Sequence, residues 1–200
     1  MIIMTNIKYK ITHGVYVVTT QEGGCIVDAV SQVSGGEEPL ISIAINKGNY
    51  TNELVKKNKK LILSVVSESD NGELIRNFGH QSMRDVNKFA NGEYNEVDGI
   101  KVPKNVIGYL ECSLVDTIDT ETHDLFIVRA IDGDMYKDEK PMTYAYYQEH
   151  KDELVKVETE KGKRAYVCTI CGYVYYGDEL PSDFICPRCG VDASLFKLAD

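Results

Sequence analysis

The sequence lacks a long apolar run and lacks an excess of positive charge. No run of apolar residues approaches the roughly eighteen that a membrane-spanning helix needs. The 22 lysine and arginine residues are outnumbered by 31 aspartate and glutamate residues, so the net charge is −9 at pH 7. An acidic chain repels nucleic acid and anionic membranes, and we expect neither as a partner. The N-terminal MIIMTNIKYK has neither a basic segment nor a long apolar core, which predicts no signal peptide and a cytoplasmic location.

Cysteine is scarce in most of the chain and concentrated near its end. Two C-x-x-C pairs, separated by 14 residues, are formed by Cys168, Cys171, Cys186 and Cys189. Glycine follows each pair (Gly172 and Gly190), and a residue free to take positive φ lets the backbone turn its N–H groups toward the thiolates. Four thiolates in tetrahedral arrangement suit zinc or iron. Two disulfides are a weaker alternative, because intracellular thiols stay reduced.

The spacing of these features divides the chain into two domains. A first domain over residues 1–155 is followed by a charged linker over 156–163 (KVETEKGK) and a metal domain over 164–200. The last segment is too short to fold on a hydrophobic core alone, and a bound metal would supply the cross-link that it needs. The two remaining cysteines, Cys25 and Cys112, lie in apolar stretches and are expected to be buried small hydrophobic residues.

The first domain alternates short β-branched runs with turn signals, which predicts a mainly β fold. Residues 15–20 and 25–30 form a predicted hairpin around Gly23-Gly24, and further strands are expected at 40–45, 61–66, 105–115 and 125–131. Short helices are predicted at 51–59 with Thr51 as the cap, at 73–78 and at 142–150, and residues 79–103 as mostly loop. Many strands with few short helices favour a β-barrel with appended helices.

Three polar groups in this domain are candidates for binding or chemistry. Asn46–Thr51 follows a strand and precedes a helix, where backbone donors and Lys47 together favour a phosphate. Arg84 and Lys88 form a basic cluster, and His123 is a lone histidine in a turn. Each also has an ordinary explanation as a solvated loop residue, and the residues alone leave both explanations open.

The C-terminal stretch resembles the rubredoxin family. The resemblance rests on Y-x-C-x-x-C-G-Y-x-Y, P-x-D-F-x-C-P-x-C-G and a closing Phe196, over residues 166–196. The segment between the two pairs is shorter than in free-standing rubredoxins and looks like the module appended to other redox domains. The resemblance implies one Fe(Cys)₄ centre, whereas a zinc ribbon uses the same four ligands.

Residues 8–147 resemble the flavin reductase-like family of FMN-binding split β-barrels. Six blocks in family order carry the resemblance: 14–20, 28–32, 43–51, 78–85 with Lys88-Phe89, 122–127 and 141–147. It implies a six-stranded split barrel with short helices, a homodimer, and FMN bound near the subunit interface. The expected fold class is therefore mainly β, with a flavin-binding barrel and a small rubredoxin-like Cys₄ domain.

The resemblance also assigns roles to individual residues. The isoalloxazine is expected along Ala29, Val30, Ser31 and Gln32. The ribityl chain and phosphate are expected at Asn46, Lys47, Asn49 and Thr51, with Phe78, Gly79, Ser82, Arg84 and Lys88 completing the clamp. His123 is expected beside the ring face where a nicotinamide stacks. Relatives often have asparagine at position 28, and because the Asp28 carboxylate cannot donate a hydrogen bond it carries less weight as a flavin contact.

The order of the domains resembles the high molecular weight rubredoxins of anaerobes. That resemblance implies electron transfer from NAD(P)H through FMN and iron to a protein acceptor, a diiron flavoprotein that reduces O₂ or NO. One alternative is an NAD(P)H-dependent free-flavin reductase with a structural zinc tail, and another is a redox-sensing binding module. Without a G-x-G-x-x-G fingerprint, the sequence does not distinguish NADH from NADPH.

Overall fold

A curled seven-stranded sheet forms the first domain in the computed structural model. The structure describes residues 10–69, 71–84, 86–90, 92–154, 164–169, 173–186 and 190–198. The strands are β1 (Tyr16–Thr19), β2 (Gly24–Val27), β3 (Val30–Gln32), β4 (Leu40–Asn46), β5 (Lys60–Val65), β8 (Gly108–Asp119) and β9 (His123–Met135), with β6 and β7 in a separate hairpin. Their spatial order is β2-β1-β5-β8-β9-β4-β3, and every neighbouring pair is antiparallel. The mainly β prediction is confirmed.

The two edge strands of this sheet are consecutive in the chain. β2 pairs with β1 at one edge and β3 pairs with β4 at the other, and only Asp28 and Ala29 separate them. The backbone kinks there, because the Val30 N–H donates to the Asp28 carbonyl 2.9 Å away. One bent segment therefore supplies both edges and curls the sheet on itself. If β2 and β3 are counted as one bent strand, the sheet has six strands, which is the number that the family resemblance implied.

Three helices accompany the sheet: α1 (Tyr50–Asn58), α2 (Gly72–His80) and α3 (Tyr144–Leu154). The predicted cap of α1 was wrong by two residues. Asn49 is the cap, since its side chain accepts from the Thr51 N–H at 3.0 Å, and Lys59 ends the helix in a left-handed conformation. No helix among the described residues is both long and apolar enough to cross a membrane.

The segment expected to be loop contains a hairpin of β6 (Tyr94–Val97) and β7 (Ile100–Pro103). Asp98 and Gly99 form its turn with φ of 48° and 76°, the paired positive values that a tight hairpin turn requires. Ile100 and Val102 then pack with Ile62 of β5 in a small core of their own. The loop prediction for this part was therefore wrong.

The barrel core is made by alternate residues of the strands. Along β4 and β9 the core-facing residues are Ile41, Ile43, Ile45, Phe126 and Val128, each at most 5% exposed. Cys25 and Cys112 lie in the same core, which confirms their prediction as buried apolar residues. Burial raises the pKa of the Cys112 thiol to about 12, so it stays protonated.

The C-terminal domain is a small three-stranded sheet of β10 (Arg164–Cys168), β11 (Val174–Gly177) and β12 (Phe196–Leu198), in the order β11-β10-β12. Phe184 is the centre of its aromatic packing, with ring centroids 4.8 Å from Tyr175 and 5.3 Å from Phe196. The predicted linker, residues 156–163, lies outside the described residues.

Candidate functional site

The kink between β2 and β3 lies beside β4, on the outer face of the barrel. The Ala29 carbonyl accepts from the Ala44 N–H at 3.0 Å. Ala44 is half-buried, while its neighbours Ile43 and Ile45 point into the core. Beyond the kink, Val30 is half-buried, and Ser31 and Gln32 are exposed along the edge strand. The four residues predicted to line a flavin ring, Ala29–Gln32, thus form a strip with Ala44. This strip is half-buried at the kink and exposed at the sheet edge.

Asn46 and His123 are brought together at one end of this strip. They are register partners on β4 and β9, and Ala44 lies two residues before Asn46 on the same face. From strand spacings of ~4.8 Å and a rise of ~3.3 Å per residue, the Ala29 and His123 Cα atoms are about 12 Å apart. The His123 ring is fixed by a 2.8 Å hydrogen bond between Nδ1 and the Thr122 hydroxyl.

The start of α1 was expected to offer backbone donors to a phosphate, and most of these donors already have acceptors. The bonds are Lys47 N to Thr122 O (3.1 Å), Gly48 N to Asn46 Oδ1 (2.8 Å), Asn49 N to Asn46 O (3.0 Å), Thr51 N to Asn49 Oδ1 (3.0 Å) and Asn52 N to Asn49 O (2.9 Å). Thr51 itself is 1% exposed. Side-chain charge must therefore supply most of the attraction for a phosphate here.

Two cations lie at this loop. Lys47 pairs with Asp119 at the end of β8, with Nζ and Oδ2 2.8 Å apart. Arg84 pairs with Glu53 in the first turn of α1, and its guanidinium carbon lies 4.8 Å from the centroid of the Tyr50 ring. The Arg84 N–H donates to the Ser82 hydroxyl at 3.1 Å, which orders the loop that carries the arginine. Two positive side chains suit a phosphate-bearing flavin.

An ion pair between a buried aspartate and a half-exposed lysine anchors α1 to the barrel beneath this loop. Asp124 is 2% exposed, and its Oδ2 lies 2.5 Å from the ammonium nitrogen of Lys56. The hydrogen bond from Lys56, with a second from Asn52, holds the pKa of the Asp124 carboxyl below its usual value despite burial. Asn52 also donates to the Ile45 carbonyl at 2.9 Å. The helix that carries the phosphate loop is therefore fixed to β4 and β9.

The remaining predicted flavin contacts lie elsewhere, between α2 and β2. Phe78 is 1% exposed, and a Cβ added to Gly79 would lie 3.3 Å from Ile26, so both positions pack the helix on the strand. Lys88 is 3% exposed, and its ammonium donates at 3.0 Å to the carbonyls of both Gly24 and Phe78. These contacts give the three residues a structural role, and their flavin contacts stay a prediction.

Two of the four cysteines predicted as metal ligands lie within the described residues. Cys168 and Cys186 are each 1% exposed. The Gly190 N–H donates to the Cys186 carbonyl at 2.9 Å and Gly190 has φ +73°, the turn expected behind a C-x-x-C pair. Cys171 and Cys189 lie outside the described residues. Buried sulfur beside such a turn and the aromatic rings of this domain fit a Cys₄ metal centre.

A hydrogen bond joins the two domains within the chain. Lys151 on α3 donates from Nζ to the carbonyl of Thr169, 3.2 Å away. Thr169 lies inside the first C-x-x-C pair and is held in turn by the Leu195 carbonyl, 2.8 Å from the Thr169 nitrogen. The C-terminal end of α3 packs closely on the start of α2, where only glycine fits, since a Cβ on Gly72 would lie 1.7 Å from the Leu154 carbonyl oxygen.

Comparisons with known proteins match both domains. Residues 8–154 match the family described as flavin reductase like domain, and residues 166–197 match the rubrerythrin, rubredoxin-like domain. The chain belongs to the flavin reductase like domain family and carries a rubredoxin-like domain after the barrel. This fusion supports flavin-dependent electron transfer, and the protein is an oxidoreductase.

Individual relatives agree with this assignment. A high molecular weight rubredoxin of Moorella thermoacetica is 32% identical, over 96% of this chain and 98% of its own. A ferric-chelate reductase (NAD(P)H) of Archaeoglobus fulgidus is 32% identical, over 70% of this chain and 85% of its own. The flavin reductase HpaC, solved with NADP⁺, is 26% identical with a TM-score of 0.61, over 71% of this chain and 91% of its own. The resemblance to high molecular weight rubredoxins is confirmed.

Sequence reasoning missed the carboxylates of this site and the tyrosine beneath Arg84. Glu53 was visible only as an acidic residue in a first helical turn, and Tyr50 as part of a polar segment. Asp119 is the last residue of β8 and reaches Lys47 only because β8, β9 and β4 are neighbours in the sheet. No local pattern could have paired them.

Proposed function

We propose that the protein carries electrons from NAD(P)H through FMN to a Cys₄ iron centre and on to a protein acceptor. The observation that carries this proposal is that Ala29, Asn46 and His123 lie along one end of β4. The same chain carries a second domain with buried cysteines from two C-x-x-C pairs. Flavin takes two electrons as hydride and releases them singly, which is the exchange that a nicotinamide donor and a one-electron iron acceptor require.

The barrel residues would bind and orient the flavin. Ala29–Gln32 would run along the ring, with Ala44 as a small residue beneath it, and Asn46 and Asn49 near the ribityl chain. Lys47 and Arg84 would neutralise the phosphate, Arg84 by two parallel hydrogen bonds. Ser82 orders the Arg84 loop through its hydroxyl, and Lys88 keeps α2 close to β2 through two carbonyls. Ser82 and Lys88 would therefore act by positioning the surrounding protein, whereas the other residues would contact the cofactor.

His123 would form the wall against which a nicotinamide stacks. The proposal is supported by its half-buried position at the end of the strip and by the hydroxyl of Thr122, which restricts rotation of the ring. A fixed ring positions a hydride donor without an entropy cost at the moment of transfer.

The C-terminal module would hold iron through Cys168, Cys171, Cys186 and Cys189. Aromatic packing around Phe184 would exclude water, and knuckle N–H groups would tune the potential of the centre. Lys151 contacts the first knuckle of its own chain, which supports docking of the iron domain on its own barrel. The proposed acceptor is a diiron flavoprotein that reduces O₂ or NO, as the family resemblance implies.

We also propose a homodimer. A second copy would cover β8 and β9, because Val115, Ile118 and Ile131 of these strands are 51%, 46% and 41% exposed. Flavin reductase-like barrels are expected to place the flavin near such an interface. Light scattering on the purified chain tests this, and a monomeric mass at micromolar concentration would contradict it.

The test of the main proposal is a visible spectrum of protein from its native host, before and after anaerobic NADH or NADPH. Flavin and ferric-thiolate bands that both bleach would support the relay. If nicotinamide left the iron oxidised, the direct-donor proposal would fail. Flavin bands without ferric-thiolate bands, together with one zinc per chain by metal analysis, would instead support a free-flavin reductase with a structural zinc tail.

A further inference from the structure

Both cations at the proposed phosphate site are occupied by carboxylates of the chain itself. Lys47 pairs with Asp119, and Arg84 pairs with Glu53. All four side chains are open to solvent: 36% and 82% exposed in the first pair, 45% and 56% in the second. An incoming anion can therefore reach both cations without unfolding any element.

The surroundings of Arg84 hold it in place apart from its ion pair. Its guanidinium lies over the Tyr50 ring, and its backbone N–H is bound by Ser82. The neighbouring Met83 packs close to Gly23, beside Leu54 of α1, since a Cβ on that glycine would lie 3.0 Å from each side chain. Release from Glu53 would therefore leave the arginine at the first turn of α1.

Lys47 is held by a different part of the fold. Its backbone N–H donates to the Thr122 carbonyl, 3.1 Å away, and the preceding Asn46 is the register partner of His123. Lys47 and Tyr50, the residue whose ring lies beneath the Arg84 guanidinium, are three residues apart, so their Cα atoms are at most ~11 Å apart. Both cations therefore lie at the short loop that leads into α1.

A phosphate monoester is a stronger partner for these cations than the carboxylates they now hold. Exposed ion pairs contribute little, because solvent screens them and two long side chains must be ordered. A phosphate has three acceptor oxygens and nearly two charges, which suits the arginine fork, and the N-terminal end of α1 adds a favourable dipole. We therefore expect replacement of the carboxylates by the phosphate to lower the free energy.

We propose that Glu53 and Asp119 are internal counter-ions of the flavin phosphate site. They neutralise and position Arg84 and Lys47 while the site holds no flavin, and the phosphate monoester displaces them on binding. This inference rests on the proposed function, in which the loop binds the phosphate of FMN. Its consequence is that the carboxylates compete with FMN and lower its affinity.

The experiment compares FMN with riboflavin, which has the same ring and no phosphate. Full-length, metal-loaded protein is freed of flavin and titrated with each ligand by fluorescence quenching. We expect Glu53→Gln and Asp119→Asn each to bind FMN about two- to fivefold more tightly, which is the factor expected from removing an exposed ion pair. Riboflavin affinity should not change. Glu22→Gln, which removes a carboxylate paired with Lys57 at the other end of α1, is the matched control and should alter neither.

A double-mutant cycle separates competition from a general charge effect. In an Arg84→Gln background, Glu53→Gln should lose its effect on FMN, because the cation for which the two anions compete is absent. An unchanged effect in that background would overturn the inference for Glu53. Weaker or unaltered FMN binding in the single variants, or equal tightening of riboflavin, would overturn it as well. If the parent protein bound neither flavin, the proposed function itself would fail.

Discussion

The ammonium group of Lys151 donates a hydrogen bond to the carbonyl of Thr169, so helix α3 of the barrel domain contacts the first cysteine pair of the metal domain. The donor precedes the acceptor by 18 residues in the chain. Both residues are half-buried. The contact gives the small domain a defined attachment to the barrel.

Lys151→Gln should loosen this attachment. A charge-assisted hydrogen bond contributes about 1.5–3 kcal/mol at most, and less when the donor is half-exposed. We expect a larger radius of gyration by small-angle X-ray scattering. Lys197→Gln, which alters an exposed lysine within the metal domain, is the control and should match the parent. An unchanged radius in Lys151→Gln would mean that other contacts hold the domains together.

His123→Ala should slow reduction of the flavin by nicotinamide more than it weakens flavin binding. The ring is fixed by Thr122 and lies at the end of the proposed flavin strip, so its loss would misplace the hydride donor. We expect a rate roughly tenfold lower by anaerobic stopped-flow, with nearly parental flavin affinity. Glu121→Gln, on the same turn, serves as the control. An unaltered rate of flavin reduction would mean that His123 is an ordinary surface residue with no part in hydride transfer.

Cys186→Ser should abolish metal binding by the C-terminal domain and leave the flavin in place. The side chain is 1% exposed, and its backbone carbonyl accepts from the Gly190 N–H of the knuckle turn. Metal analysis and the flavin spectrum together measure the outcome. Cys112→Ala, which removes a cysteine from the barrel core, should keep the metal. Loss of flavin from Cys186→Ser would show that the two domains do not fold independently.

Asp124→Asn should reduce the free energy of unfolding at pH 7 by about 1 kcal/mol, because the half-exposed Lys56 loses its charged partner and solvent screens the pair. The pKa of Asp124 is lowered in the native state from an ordinary value of 3.8. Its stabilisation is therefore complete above about pH 5 and is lost as the pH falls through the lowered native pKa.

Urea unfolding of parent and Asp124→Asn at several pH values checks this linkage. The difference between them should be largest near neutrality and should shrink in acid. Asp98→Asn, which breaks an exposed pair with Lys60, is the control. A difference that grew as the pH fell would contradict the assignment.

The barrel was largely predictable, because its strands are β-branched runs bounded by glycine. Strands β1, β4 and β5 lie within one residue of their predicted bounds, whereas β2 ends three residues earlier than predicted, at the kink. The β6–β7 hairpin was missed although Asp98-Gly99 is a strong turn signal, because the surrounding segment is polar and its apolar residues face a small separate core. Asn49 and Thr51 are both good caps, and only the backbone geometry decides between them.

The candidate site was predictable in its cations and not in their partners. Lys47 and His123 stand out as charged or polar residues at strand ends, and Arg84 as a cation in the loop after α2. Glu53 and Arg84 are 31 residues apart, and their contact depends on how the loop after α2 packs on α1. Lys88 reads as a phosphate cation in sequence, yet burial and two carbonyls give it a role in packing. Such assignments depend on tertiary neighbours that no local pattern encodes.

The bent segment from Gly24 to Gln32, which supplies both edges of the sheet, also contains the four residues proposed to run along the flavin ring. A substitution at Asp28 or Ala29 is therefore expected to change both the closure of the barrel and the binding of flavin. Variants of this segment recovered in a search for heat resistance should therefore also differ in how they retain flavin. Tolerance to mutation should be lowest here, in two consecutive residues that lie outside both the hydrophobic core and the metal site.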